Sequence, residues 1–118
     1  MSRKRSRTGE MGKVVEMARA PVVEDDPVEV LIARSRRMGR RGDARAALVL
    51  LRQACMLDEW RARPFTLLGV MLSKTGRHEE AARALGHARW LRARAGETAR
   101  ARVTEQLLSD VQARTRAA

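Results

Sequence analysis

The chain has 118 residues, which is enough for one compact domain. Only 3% of the residues are aromatic, and no segment alternates β-branched and aromatic residues as strands do, so a β-sheet fold is excluded. The formal net charge of +11 favours acidic proteins, nucleic acid or anionic lipid as partners, and the single cysteine, Cys55, cannot form an internal disulfide.

The N-terminal segment is basic and polar. Residues 1–20 contain six Lys and Arg against two Glu, without the apolar run of a secretory signal. We expect a tail that is disordered or partly helical, followed by an acidic linker that ends at residue 26. No stretch is long enough to cross a bilayer, so the expected location is cytoplasmic. A candidate surface for nucleic acid or another anion is formed by Arg3, Lys4, Arg5 and Arg7.

Helical signals follow in chain order. Asp26, Pro27 and Glu29 have the spacing of an N-cap, a first-turn proline and a capping-box acid, which predicts that a helix begins at residue 27. Gly42 and Gly76 occupy positions where a glycine in the left-handed conformation would end a helix. The patterns predict helices near 27–41, 43–59, 63–75, 78–94 and 97–114.

The sequence is similar to itself at an offset of thirty-four residues. Two helices of a hairpin approach closely only where their side chains are small, which predicts contacts at Gly69 and at the alanines of each copy. The matched pairs are Leu31 with Phe65, Met38 with Leu72, Gly42 with Gly76, Ala47 with Ala81, Leu51 with Leu85, and Ala54 with Ala88.

Residues 62–95 resemble the tetratricopeptide repeat (TPR) family through Phe65, Leu68, Gly69, Leu72, Gly76, Ala81, Leu85 and Ala88. Residues 28–61 match less well at the front, where Arg34 and Ser35 replace the usual Leu-Gly, and neither copy has the terminal proline. The resemblance implies an all-α, TPR-like α-hairpin solenoid of about five helices. The domain would span 27–118, with repeats at 28–61 and 62–95 and a capping helix at 97–114.

In the TPR family the first helix of each pair lines a concave groove. The resemblance therefore implies a basic groove with an apolar floor, which would bind acidic residues around aliphatic anchors of another protein. The chain would act as an adaptor, scaffold or small chaperone. The groove residues carried over by register are Ile32, Arg36, Arg40, Arg63, Thr66, Val70 and Lys74, with Arg100 from the capping helix.

Three other functions stay open. The tail and the basic helices would bind phosphates of nucleic acid. The exposed start of the repeats near Val28, Ile32 and Ala33 would be covered by residues 11–20, by the partner or by a second copy of the chain, which would make a homodimer. The third hypothesis is a membrane-surface subunit anchored by residues 3–19.

Catalysis is not expected, and neither is a cofactor or a metal. His78 and His87 are nine residues apart on one predicted helix and face opposite sides. No glycine-rich phosphate loop or nucleophile motif is present. Trp60 and Trp90 are nearly one period apart and are predicted to pack between the repeats, with an exposed Trp90 as the alternative.

Overall fold

The computed structural model describes residues 26–117, which form five α-helices and no strand. The predicted all-α class is confirmed, and the helix ends agree with the predicted ones to within three residues. The basic run of Arg3, Lys4, Arg5 and Arg7 lies outside the described residues. The helices are α1 (Pro27–Arg40), α2 (Ala44–Leu57), α3 (Ala62–Lys74), α4 (His78–Arg94) and α5 (Thr98–Ala117).

The helix ends follow from a few residues. The Oδ1 atom of Asp26 accepts hydrogen bonds from the backbone N–H groups of Val28, at 3.0 Å, and Glu29, at 3.5 Å, which confirms the predicted N-cap of α1. Gly42 and Gly76 have φ angles of +82° and +84°, a conformation that only glycine adopts without strain. Each of these glycines follows a helix and turns the chain into the next one.

Consecutive helices pack against each other, and α3 also touches α5. The connections between them, 41–43, 58–61, 75–77 and 95–97, are short, so each helix runs antiparallel to the one before it. Of the helices in this range, none has an apolar stretch of the length that a bilayer requires.

One apolar core runs through all five helices. Small residues lie inside this core, since Ala47, Ala54, Ala81 and Ala88 are all fully buried and Gly69 packs directly against a leucine of α4. The predicted contacts at these small residues are therefore confirmed. Its larger members are Val28, Ile32, Leu48, Leu51, Leu68, Leu72, Leu85 and Val111.

Ile32 belongs to this core, although its register predicted a groove residue. Its side chain is 1% exposed, because it lies on the same face of α1 as the buried residues Val28 and Ser35. No ligand can reach it. Of the residues at the start of the repeats, Val28 and Ile32 are buried within the chain, while Ala33 is exposed.

Candidate functional site

Seven of the eight predicted groove residues line three clefts formed by α1, α3 and α5. Arg36, Arg40 and Lys74 line the first, which we call the Arg36–Lys74 cleft. Val70 lines the second together with Lys74, and this is the Val70–Arg114 cleft. The third, the Arg63–Arg100 cleft, is lined by Arg63, Thr66 and Arg100.

The Arg36–Lys74 cleft has a volume of about 410 Å³ and lies between α1, the turn after it, and α3. Arg36 and Arg40 are one helical turn apart on α1. Between them Gly39 presents bare backbone, and a Cβ built on it would lie 3.6 Å from the methyl carbon of Met71. The floor of this cleft is therefore helix backbone and a thioether, surrounded by cations. Its lining residues are Arg36, Gly39, Arg40, Gly42, Ala44, Met71 and Lys74.

The cations of this cleft are not neutralised by the described part of the chain. Ion pairs between residues 26 and 117 involve Arg52, Arg61, Arg63, Arg77 and Arg92. None of them involves Arg36, Arg40 or Lys74, all of which are exposed. A carboxylate entering the cleft would thus gain charge-assisted hydrogen bonds without displacing a carboxylate of this segment.

The Val70–Arg114 cleft adjoins the first one, because Lys74 lines both. It has a volume of about 190 Å³, and its apolar walls include Val70 and Leu107. The Nη1 atom of Arg114 donates a hydrogen bond of 2.8 Å to the Oγ atom of Ser73, which fixes a further cation at the rim. Together the two clefts form a band in which apolar surface is bordered mainly by cations, with Asp110 as the one acid among the residues that line them.

The Arg63–Arg100 cleft is the largest, at about 600 Å³, and four arginines line it. Three of them are paired with acids of the chain itself. Arg63 donates to Glu29 at 2.9 Å, and Arg92 lies 3.7 Å from Glu97. Arg61 donates to Asp26 at 2.8 Å. The fourth arginine, Arg100, takes part in none of these three ion pairs.

Because of these ion pairs, the Arg63–Arg100 cleft is less basic than the Arg36–Lys74 cleft, although it is larger. Burial acts to raise the pKa of Asp26, but the hydrogen bonds from Arg61 and from two backbone N–H groups outweigh it and hold that pKa below its usual value. Arg92 donates from Nη2 to Thr66 Oγ1 at 3.3 Å, and its side chain is 13% exposed. An incoming anion would have to compete with carboxylates already in place, so the predicted groove is divided electrostatically into a neutralised part and a basic part.

A separate feature that the sequence did not predict is an exposed aromatic cluster. The rings of Trp60 and Trp90 have centroids 6.1 Å apart, and the guanidinium carbon of Arg94 lies 5.4 and 4.9 Å from those centroids. The His87 ring lies beside Trp90 at 6.0 Å. We call these four residues the Trp60–Trp90 cluster. Trp60 is 68% exposed and Trp90 46%, so the two rings contact each other without being buried, and the alternative of an exposed Trp90 is confirmed.

Three side chains with nucleophilic or acid–base chemistry, Cys55, His78 and His87, are wholly or partly buried. Cys55 is 5% exposed, and burial raises the pKa of its thiol to about 11, so it is protonated at neutral pH. The Nδ1 atom of His78 is buried, while His87 packs edge-on against Phe65 at 4.4 Å. In the part of the chain that the structure describes, no three His, Cys, Asp or Glu side chains converge to hold a metal ion.

Comparisons with known proteins do not assign this chain to a family. No family model matches it, and no curated protein matches it either. The function therefore has to be inferred from the clefts and the exposed cluster themselves.

Proposed function

We propose that α1 to α4 are two TPR-like helix pairs closed by α5, and that this domain binds an acidic and apolar segment of another protein. The repeat assignment is supported by the equivalence of Gly42 and Gly76, which are thirty-four residues apart and have nearly the same φ. The starts of α2 and α4, at Ala44 and His78, have the same separation. A cytoplasmic adaptor, scaffold or small chaperone is the class of protein that this proposal favours.

The observation that carries the binding role is the Arg36–Lys74 cleft. Its three cations have no acidic partner between residues 26 and 117, and its floor of Gly39 backbone and Met71 is apolar. Solvated arginines without a ligand do not account for the apolar floor of the cleft. An uncharged partner does not account for its three cations. The combination fits carboxylates placed on both sides of an aliphatic anchor.

The expected mode of binding follows from the geometry of the cations. Arg36 and Arg40 on one wall and Lys74 on the other would hold Asp or Glu side chains, with Arg able to bind a carboxylate through two parallel hydrogen bonds. A Leu or Ile between those acids would cover Met71, whose flexible side chain adapts to different shapes. The adjoining Val70–Arg114 cleft would take up a second aliphatic side chain.

The test is direct binding of designed peptides to the full chain. A set of about 15-residue peptides would carry Asp or Glu on both sides of a Leu or Ile anchor, with matched peptides in which Lys replaces every acid. Binding measured by calorimetry is expected for the acidic peptides only. Perturbed backbone NMR signals at Gly39, Met71 and Lys74 would locate them in the cleft.

Variants of the cleft separate charge from shape. Arg36→Glu and Lys74→Glu are expected to weaken binding about tenfold each, which corresponds to about 1.4 kcal/mol per lost contact. Gly39→Ala fills the floor with a methyl group at an ordinary contact distance from Met71, so binding should weaken while the fold is retained.

The matched control is Arg102→Glu, which makes the same charge change at an exposed position of α5 that lines none of the three clefts. It should leave peptide binding within about twofold of the original, since a distant surface charge is screened by salt. Equal losses for Arg36→Glu and Arg102→Glu would mean that only net charge matters, and the cleft would not be the site.

A further inference from the structure

The Trp60–Trp90 cluster is a second surface, distinct from the three clefts. None of its residues lines any of them. It brings together the only two tryptophans of the chain, one from the connection between α2 and α3 and one from the end of α4. A function of this cluster would therefore be independent of the proposed peptide binding.

The rings of the cluster are held in place by neighbouring groups. Arg94 lies over both indoles, and the imidazole of His87 is inclined by only 21° to the ring of Trp90. His87 is itself fixed at 3.1 Å from the carbonyl oxygen of Glu59. The arrangement is preorganised, so a ligand that covers the open part of Trp60 would pay little entropy for ordering it.

The charges of the cluster decide between possible occupants. Arg94 is exposed and forms no ion pair with an acid of residues 26–117. Of the two acids that precede Trp60 in the chain, Asp58 is paired with Arg61 at 3.4 Å and Glu59 is exposed. A second copy binding through this patch would bring Arg94 close to its own equivalent across a two-fold axis. The described residues also contain nineteen Lys and Arg against ten Asp and Glu, which adds to this repulsion. The fitting ligand combines a flat apolar group with negative charge.

We infer that the Trp60–Trp90 cluster is a stacking platform for unpaired bases of single-stranded nucleic acid. A base would stack on the exposed indole of Trp60, while the adjacent phosphate would meet Arg94. Every base has a π-face, so this binding is tolerant of sequence, and because phosphates are involved it weakens as salt rises.

The test uses intrinsic fluorescence of the full chain. Since both tryptophans belong to the cluster and the chain has no tyrosine, quenching of the emission by an added ligand reports on this surface directly. Titration with a 12-nucleotide oligo-uridylate or oligo-thymidylate at low salt is expected to quench the emission, and added salt should weaken the binding. The matching duplex is expected to quench less, because its bases are already stacked.

Two variants at Trp60 test the role of the ring. Stacking is worth about 1–3 kcal/mol per base, so Trp60→Ala should weaken oligonucleotide binding by about 5- to 150-fold, measured by anisotropy of a labelled strand. Trp60→Leu keeps an apolar side chain and should lose nearly as much. Because Trp60 is exposed, both variants should keep the circular dichroism spectrum of the original chain.

Other results would overturn the inference. Binding without quenching, unchanged in Trp60→Ala, would assign the interaction to basic residues elsewhere in the chain. Self-association that is lost in Trp60→Ala, seen by sedimentation without oligonucleotide binding, would assign the patch to a second copy. Trp60→Ala should not affect acidic-peptide binding at the Arg36–Lys74 cleft, so this inference and the proposed function can fail separately.

Discussion

Gly69 of α3 lies so close to Leu85 of α4 that a Cβ atom built on the glycine would be 2.5 Å from the Cγ atom of Leu85. The same Cβ would be 3.3 Å from the carbonyl oxygen of Ala81. Leu85 is fully buried in the core, so a clash at this point would have to be relieved by moving packed neighbours. The contact between these two helices depends on the absence of a side chain at position 69.

Gly69→Ala is therefore expected to destabilise the domain, although alanine is the better helix former. Overpacking of this kind costs about 1–3 kcal/mol, measured as the free energy of unfolding in urea. Gly86→Ala is the matched control, because it lies in α4 with nothing within 4 Å of its Cβ position. That variant should be more stable by about 0.5–1 kcal/mol. Equal changes in the free energy of unfolding for Gly69→Ala and Gly86→Ala would contradict the close approach of Gly69 to Leu85.

Much of this scaffold could be predicted from the sequence, because the signals are local or periodic. Asp26, Gly42 and Gly76 mark helix ends through their own side chains or their lack of one, and the structure confirms all three. Gly69 was predicted at a contact because its neighbours repeat at a fixed offset. The burial of Ile32 was not predicted, because a repeat position carried over from the TPR family does not specify how α1 is rotated about its own axis.

The charge distribution could not be predicted from the sequence. The groove was expected to be basic throughout, yet Arg63 is paired with Glu29, thirty-four residues earlier in the chain. Composition counts cations but does not show which of them meet an acid once the helices pack. The spacing of Trp60 and Trp90 predicts that they pack between the repeats, but the exposure of Trp60 and the positions of Arg94 and His87 beside the rings follow only from tertiary packing.

Cys55 should be unreactive in the folded protein. Burial raises the pKa of its thiol to about 11, against an opposing effect of the nearby Arg52 charge. At pH 8 this leaves about 100-fold less thiolate than an ordinary cysteine has. We expect a disulfide reagent to label native protein at least about 100-fold more slowly than protein unfolded in urea. Because the chain has a single cysteine, Cys55→Ala provides the background, and rapid labelling of the native state would contradict the burial.

Two acids, Glu80 and Asp26, form ion pairs with arginines distant in the chain and should make the free energy of unfolding depend on pH in the acid range. The Glu80 pKa is lowered mainly by its hydrogen bond from Arg52, which joins α4 to α2. A carboxyl group whose pKa is lower in the folded state binds fewer protons there than in the unfolded chain. Its contribution is therefore complete above the usual values, 4.5 for Glu80 and 3.8 for Asp26, and is lost as the pH falls through the folded values.

Glu80→Gln tests the contact between α4 and α2. The pair is partly exposed, so its removal should lower the free energy of unfolding at pH 7 by no more than about 1 kcal/mol. The difference from the original chain should shrink as the pH falls from 5 to about 3, because protonation removes the same charge from the original. Glu105→Gln, at an exposed position of α5 without an ion pair in residues 26–117, should show no such trend. A constant difference across this pH range would mean that Glu80 stabilises the fold by packing alone.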